Sequence, residues 1–225
     1  MEKQLIISIG TGRSGSASLS SFLSAQESML FLHEGRLEKE KIRKLIKWEN
    51  DEEELFKWID FLVGYDDEAM FVGDTGMYFL PYIEMIINKY NNVKVIGLER
   101  DKDEVVESFI KKTEGRNHWY DHGGKDWKVD KKWDPCFPKY QIKEKRKAIE
   151  KYYDEYISKT NYLKIKYPDN VKIWNLLEFN KSKTKNEILD FISYDKKRIV
   201  DKSFKKNTKI KSQVESILNK IKEWF

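Results

Sequence analysis

Residues 6–23, IISIGTGRSGSASLSSFL, constrain this chain more than any other stretch. An apolar, β-branched run passes through a glycine-rich turn into a segment with helical spacing, which is the opening unit of a parallel α/β sheet. The turn follows the carboxyl end of the first strand, where open parallel sheets bind ligands. Gly10, Gly12 and Gly15 permit backbone conformations that a Cβ would block, so N–H groups from Gly15 onward can face one anion at a helix N-terminus. Ser14, Ser16 and Ser18 add hydroxyl donors, and Arg13 adds a fork of N–H groups suited to phosphate oxygens.

The rest of the chain repeats the alternation. Residues 5–9, 29–32, 70–72, 93–98 and 171–174 are short apolar runs bounded by turn residues or charge, and they read as strands. Helical spacing lies between them: Leu19, Phe22 and Leu23; Leu55, Trp58, Ile59 and Leu62; Leu80, Ile83, Ile86 and Ile87. An apolar stripe from Ile210 to Phe225 predicts an amphipathic helix over 209–225. Periodicity fails over 113–140, where Trp119, Trp127, Trp133, Gly123-Gly124 and Pro135 gather, so an ordered loop or lid beside the site is expected there. The expected fold is one α/β domain over 1–225: a five-stranded parallel sheet flanked by helices, a three-layer sandwich of the P-loop NTPase type.

Composition narrows the partners. The 43 basic and 38 acidic residues are mixed along the chain, so the net charge of +5 supports a modest anion preference rather than a nucleic-acid surface. Cys136 is the single cysteine, which excludes an internal disulfide and a cysteine-based metal site; an inert thiol is expected. No apolar run reaches the roughly 18 residues of a spanning helix, and residues 1–9 lack the pattern of a secretory signal, so a cytoplasmic protein without a membrane span is expected. The oligomeric state is not legible.

The turn resembles a P-loop, with telling departures. Gly10 and Gly15 match the two glycines of G-x-x-x-x-G-K-[ST], but Ser16 stands at the lysine position and Ala17 at the magnesium-binding Ser/Thr position. What remains is a phosphate cradle containing an arginine and lacking a metal ligand. A second anion element follows in VKVIGLERDKDEVVESF: Arg100 ends a strand, Asp101 with Glu104 forms a helix cap, and Ser108 lies in the helix.

These two segments together resemble sulfotransferases that use 3′-phosphoadenosine 5′-phosphosulfate (PAPS). Arg13-Ser14-Gly15-Ser16 is similar to the family's 5′-phosphosulfate loop, and Arg100 with Ser108 reproduces the spacing of its 3′-phosphate element. The resemblance runs over residues 5–108, and FPKY before KYYDEY is similar to bacterial and phage members. It implies a donor site of Gly12, Arg13, Ser14, Gly15, Ser16, Ala17, Ser18, Arg100 and Ser108, with PAP as product and no metal. It also implies a carboxylate or histidine base after the second strand, where FLHEGR puts His33 and Glu34; Glu34 is the first choice, with Arg13 assisting at the leaving group. The acceptor would be a small molecule or glycan bearing a hydroxyl.

Several residues stay open. Asp74 and Thr75 either touch the acceptor or cap the next helix. His118 and His122 have metal-like i, i+4 spacing, but Gly123-Gly124 favours a solvated loop. Trp119, Trp127 and Tyr153 either wall a ligand or pack the core, and Lys205-Lys206-Asn207 resembles a late basic loop over the 3′-phosphate. Two rival readings remain: a nucleotide or metabolite kinase with an atypical P-loop, and a noncatalytic anion-binding module.

Overall fold

The computed structural model describes residues 3–37 and 41–204. The helix expected over 209–225 and the basic loop at Lys205-Lys206-Asn207 lie outside the described residues. Strands β1 (Gln4–Ile9), β2 (Met29–His33), β3 (Arg36–Leu37), β4 (Ile42–Arg43), β5 (Phe71–Thr75), β6 (Val93–Glu99) and β7 (Val171–Asn175) form one sheet in the order β4-β3-β2-β5-β1-β6-β7. The five expected strands are its parallel core. The expected count of five is corrected to seven, because β3 and β4 add an antiparallel hairpin at the β2 edge. Each has only two residues, too few for any alternation to register in the sequence.

Helices cover both faces. They are α1 (Ser16–Leu23), α2 (Glu52–Tyr65), α3 (Ile83–Lys89, entered through a 3-10 turn at Met77–Tyr82), α4 (Lys102–Lys112), α5 (Lys145–Lys166) and α6 (Ser182–Phe191). Successive side chains of β1 go to opposite faces, both covered, which explains why every residue of the strand is buried and Leu5, Ile6, Ile7 and Ile9 are apolar. Leu5, Ile7 and Ile9 pack with α2, α3, α4 and α5, whereas Ile6 packs with α1 and α6. Among the described residues, no helix is long and apolar enough to cross a membrane.

Residues 113–140 hold one 3-10 turn, at Asp134–Cys136, and a single bridge between Tyr120 and Tyr140. The two ends of the segment pack inward, with His118, Trp119, Cys136 and Phe137 buried, whereas none of residues 120–135 is buried. Trp119 is therefore core and not a ligand wall, with its ring 5.0 Å from Phe109 and 5.7 Å from Tyr152. His118 corrects the expectation of a solvated loop. Its Nδ1 lies 2.7 Å from Asp134 Oδ1, its ring stacks on Phe137, and burial lowers its pKa. Exposed Gly124 donates its N–H to His122 Nδ1, so the two histidines have separate partners. Burial pushes the Cys136 thiol up to about 12, which keeps it protonated and unreactive at neutral pH.

Candidate functional site

Two turns meet at the carboxyl edge of the parallel strands. The first, residues 10–15, joins β1 to α1 through three residues in the left-handed region: Gly12 (φ 77°), Arg13 (φ 60°) and Gly15 (φ 98°). The φ value favours glycine at Gly15, where an added Cβ would also lie 2.4 Å from Leu176 Cδ1 and push that side chain aside. Arg13 adopts the same region with a side chain, at a cost of order 1 kcal/mol. Among the described residues, the backbone N–H groups of residues 12–17 have no hydrogen-bond acceptor. Such a row at a helix N-terminus is the chemistry of an anion site.

Two tyrosines of α5 fix this turn, and a third fixes Arg100. Tyr156 accepts a hydrogen bond from the Gly10 N–H at 2.9 Å and donates to the Met77 carbonyl at 3.2 Å. Tyr152 donates to the Thr11 carbonyl at 2.8 Å, and Tyr153 donates to the Arg100 carbonyl at 2.7 Å. Tyr153 is thus an anchor for the second anion element and not a wall. KYYDEY carried a usable signal, since positions 152 and 156 share one helical face, but nothing in the sequence names their acceptors.

Arg13, Arg100 and Ser108 come together. Arg13 Nε donates to Ser108 Oγ at 2.9 Å, and an Arg100 terminal nitrogen donates to the Arg13 carbonyl at 2.9 Å. Arg100 Nε also pairs with Glu104 at 2.6 Å, and Asp101 caps α4 by accepting from the Glu104 N–H. Partial burial and then the like charge of Arg100 lower the Arg13 pKa, while Glu34 opposes that shift. Two neighbouring guanidiniums repel each other, and a multiply charged anion between them relieves the repulsion.

The second turn, residues 33–35, follows β2. Glu34 (φ 54°) and Gly35 (φ 63°) are both left-handed, and a Cβ at Gly35 would fall 1.6 Å from the Lys44 carbonyl oxygen. His33 and Glu34 diverge here. His33 Nε2 lies 3.2 Å from Ser16 Oγ of the first turn. The Glu34 carboxylate instead binds an Arg43 terminal nitrogen at 2.5 Å, 3.8 Å from His33 Nδ1. Arg43, which sequence reading missed, comes from the two-residue strand β4 and lies over the Trp133 ring at 4.9 Å.

Asp74 neither reaches the surface nor caps a helix. It is fully buried, and its carboxylate accepts from the Gly35 N–H (2.9 Å), the Thr75 N–H (2.8 Å) and Trp58 Nε1 (3.1 Å). Burial raises its pKa to about 7 against the pull of those three donors. Thr75 faces inward as well, with its hydroxyl donating to Ser8 Oγ at 3.1 Å. Among the described residues, no cluster of three or more His, Cys, Asp or Glu is arranged to hold a metal.

No protein-family model matches the sequence, and no curated protein matches it either. Solved structures do. A sulfotransferase from Alicyclobacillus acidocaldarius superimposes with a TM-score of 0.55 at 13% identity, covering 96% of this chain and 92% of that one. Mouse sulfotransferase SULT7A1, complexed with PAP, aligns at a TM-score of 0.45 and 12% identity, over 87% of this chain and 59% of that one. The bacterial likeness shows that this chain has the sulfotransferase fold.

Proposed function

We propose that this protein is a sulfotransferase that moves a sulfuryl group from PAPS to an acceptor hydroxyl and releases PAP. The observation that carries the reading is the junction of Arg13, Arg100 and Ser108 beside a row of partnerless N–H groups. A donor with phosphate at both the 3′ and 5′ positions needs two cationic elements on one surface, and this junction supplies them.

PAPS supplies an activated sulfuryl group with a 5′-phosphate as leaving group, and the residues do the rest. In the proposed assignment, Arg13 and the N–H groups of residues 12–17, with the Ser16 and Ser18 hydroxyls, hold the 5′-phosphosulfate. Arg13 neutralises charge as the bond from sulfur to the phosphate oxygen breaks. Arg100 and Ser108 take the 3′-phosphate. Positioning accounts for much of the rate of such an in-line displacement, and the tyrosine-anchored turn provides a fixed frame for it.

The acceptor hydroxyl loses its proton as the new sulfur–oxygen bond forms. His33 is the better-placed proton acceptor, because its Nε2 already lies beside Ser16 while the Glu34 carboxylate is held by Arg43. The first choice between the two therefore moves from Glu34 to His33, and Glu34 stands behind the ring.

The test is transfer of labelled sulfate from PAPS into a pool of hydroxylated acceptors, run with chelator and without added divalent cation. Acceptor-dependent formation of PAP supports the reading. Turnover of ATP that requires magnesium would instead assign a kinase. Nucleotide binding without transfer to any acceptor would assign a noncatalytic module.

A further inference from the structure

A groove of about 530 Å³ opens along the outer side of α1, within the roughly 300–1,000 Å³ typical of small-molecule sites. From α1 it is lined by Ala17, Ser20 and Ser21, from the turn after it by Ser24 and Ala25, and from the second turn and β3 by His33 and Arg36. Its far end is thus the proposed proton acceptor. Apart from the His33 ring, no aromatic or large apolar side chain lines it among the described residues. Ala17 and Ser21 stand at i and i+4 on α1, so this part of the helix presents short side chains and lets a ligand approach closely.

The serines are not equivalent. Ser21 Oγ donates to the Ala17 carbonyl at 2.8 Å, and Ser24 Oγ donates to the Phe31 carbonyl at 2.6 Å. Ser20 is 7% exposed and lines the groove, yet its hydroxyl has no hydrogen-bond partner among the described residues. A nearly buried hydroxyl on a groove wall without a partner is a position for a ligand's polar group. Arg36 adds an exposed guanidinium at the rim.

We propose that this groove binds the acceptor, and that the acceptor is an acidic saccharide. The short hydroxyl-bearing wall suits a polyol, and Arg36 suits a carboxylate or sulfate on the same chain. The assignment of the groove as the acceptor site rests on the sulfotransferase reading; its preference for acidic saccharides is a binding property and can be measured without turnover.

The experiment is calorimetric titration of the full chain with three probes: a tetrasaccharide of alternating glucuronate and N-acetylglucosamine, a neutral N-acetylglucosamine tetramer, and 4-nitrophenol. The acidic tetrasaccharide is expected to bind about tenfold more tightly than the neutral one, the scale of one charge-assisted contact. Ser21→Trp, which fills the groove, and Arg36→Glu, an exposed change that leaves the core intact, should each cost about tenfold or more in saccharide affinity. Both should leave PAP affinity at the wild-type value. No saccharide binding, tighter binding of the phenol, or equal saccharide affinity in both variants overturns the proposal. PAP binding without saccharide binding overturns the groove assignment alone; saccharide binding lost in both variants, with no PAP binding to the wild type, supports the groove and overturns the donor assignment.

Discussion

The two turns at the carboxyl edge of the sheet solve one problem in opposite ways. Both force a non-glycine residue into the left-handed region, Arg13 in one and Glu34 in the other, and both need a partner from elsewhere in the fold. The first turn is fastened by hydroxyls, Tyr152 and Tyr156, whose pKa values burial raises further above their already high ordinary range. The second is fastened by the Asp74 carboxylate, whose pKa burial raises to about 7. A turn proposed to hold an anion gains from a clamp that does not titrate. A turn that carries the proposed proton acceptor is held by a group that changes charge in the neutral range.

The largest effect expected from this contrast is on His33. His33→Ala should lower turnover by about 10²- to 10⁴-fold, the usual contribution of a general base, while PAP affinity stays at the wild-type value. A steady-state rate and a PAP titration on the same protein check this. Wild-type turnover in His33→Ala, with a collapse in Glu34→Gln, would return the role to Glu34.

Next is the pH dependence of stability. The Asp74 pKa is raised in the folded state, so the stability linked to this group is full below its unfolded value of about 4 and is lost as pH rises through about 7. Thermal or urea unfolding from pH 4 to 8 should show wild type losing stability relative to Asp74→Asn by about 1.4 kcal/mol per pH unit across that window. Parallel curves for the two proteins would show that Asp74 does not titrate as described.

The smallest effect sharpens the other side of the comparison. Tyr152→Phe and Tyr156→Phe should each cost about 1 kcal/mol, the net worth of a buried hydrogen bond, and weaken PAP binding a few-fold. Neither should alter the slope of stability against pH. A change in that slope would mean that the first clamp is coupled to a titrating group after all.

How much of this was legible in the sequence follows from range. The five parallel strands declared themselves because helices pack on both faces of the sheet, which concentrates apolar residues in each strand. Arg13, Arg100 and Ser108 were legible because each belongs to a local strand–turn–helix pattern with fixed spacing. The clamps were not, since Tyr156 meets Gly10 across 146 positions and Asp74 meets Gly35 across 39. The β3–β4 hairpin and Arg43 were invisible for another reason: strands of two residues have no period. His118 misled because neighbouring glycines suggested exposure, whereas its own ring is stacked on Phe137 and paired with Asp134.

The central claim is that Arg13 and Arg100 grip one ligand phosphorylated at two positions, and calorimetry with adenosine 3′,5′-bisphosphate and adenosine 5′-phosphate addresses it directly. Wild type should prefer the bisphosphate, and Arg100→Ala should lose about 10- to 100-fold in bisphosphate affinity, the range for hydrogen bonds to a charged group, with little change for the monophosphate. Equal affinity of the wild type for both nucleotides, or equal losses for both in the variant, would contradict it.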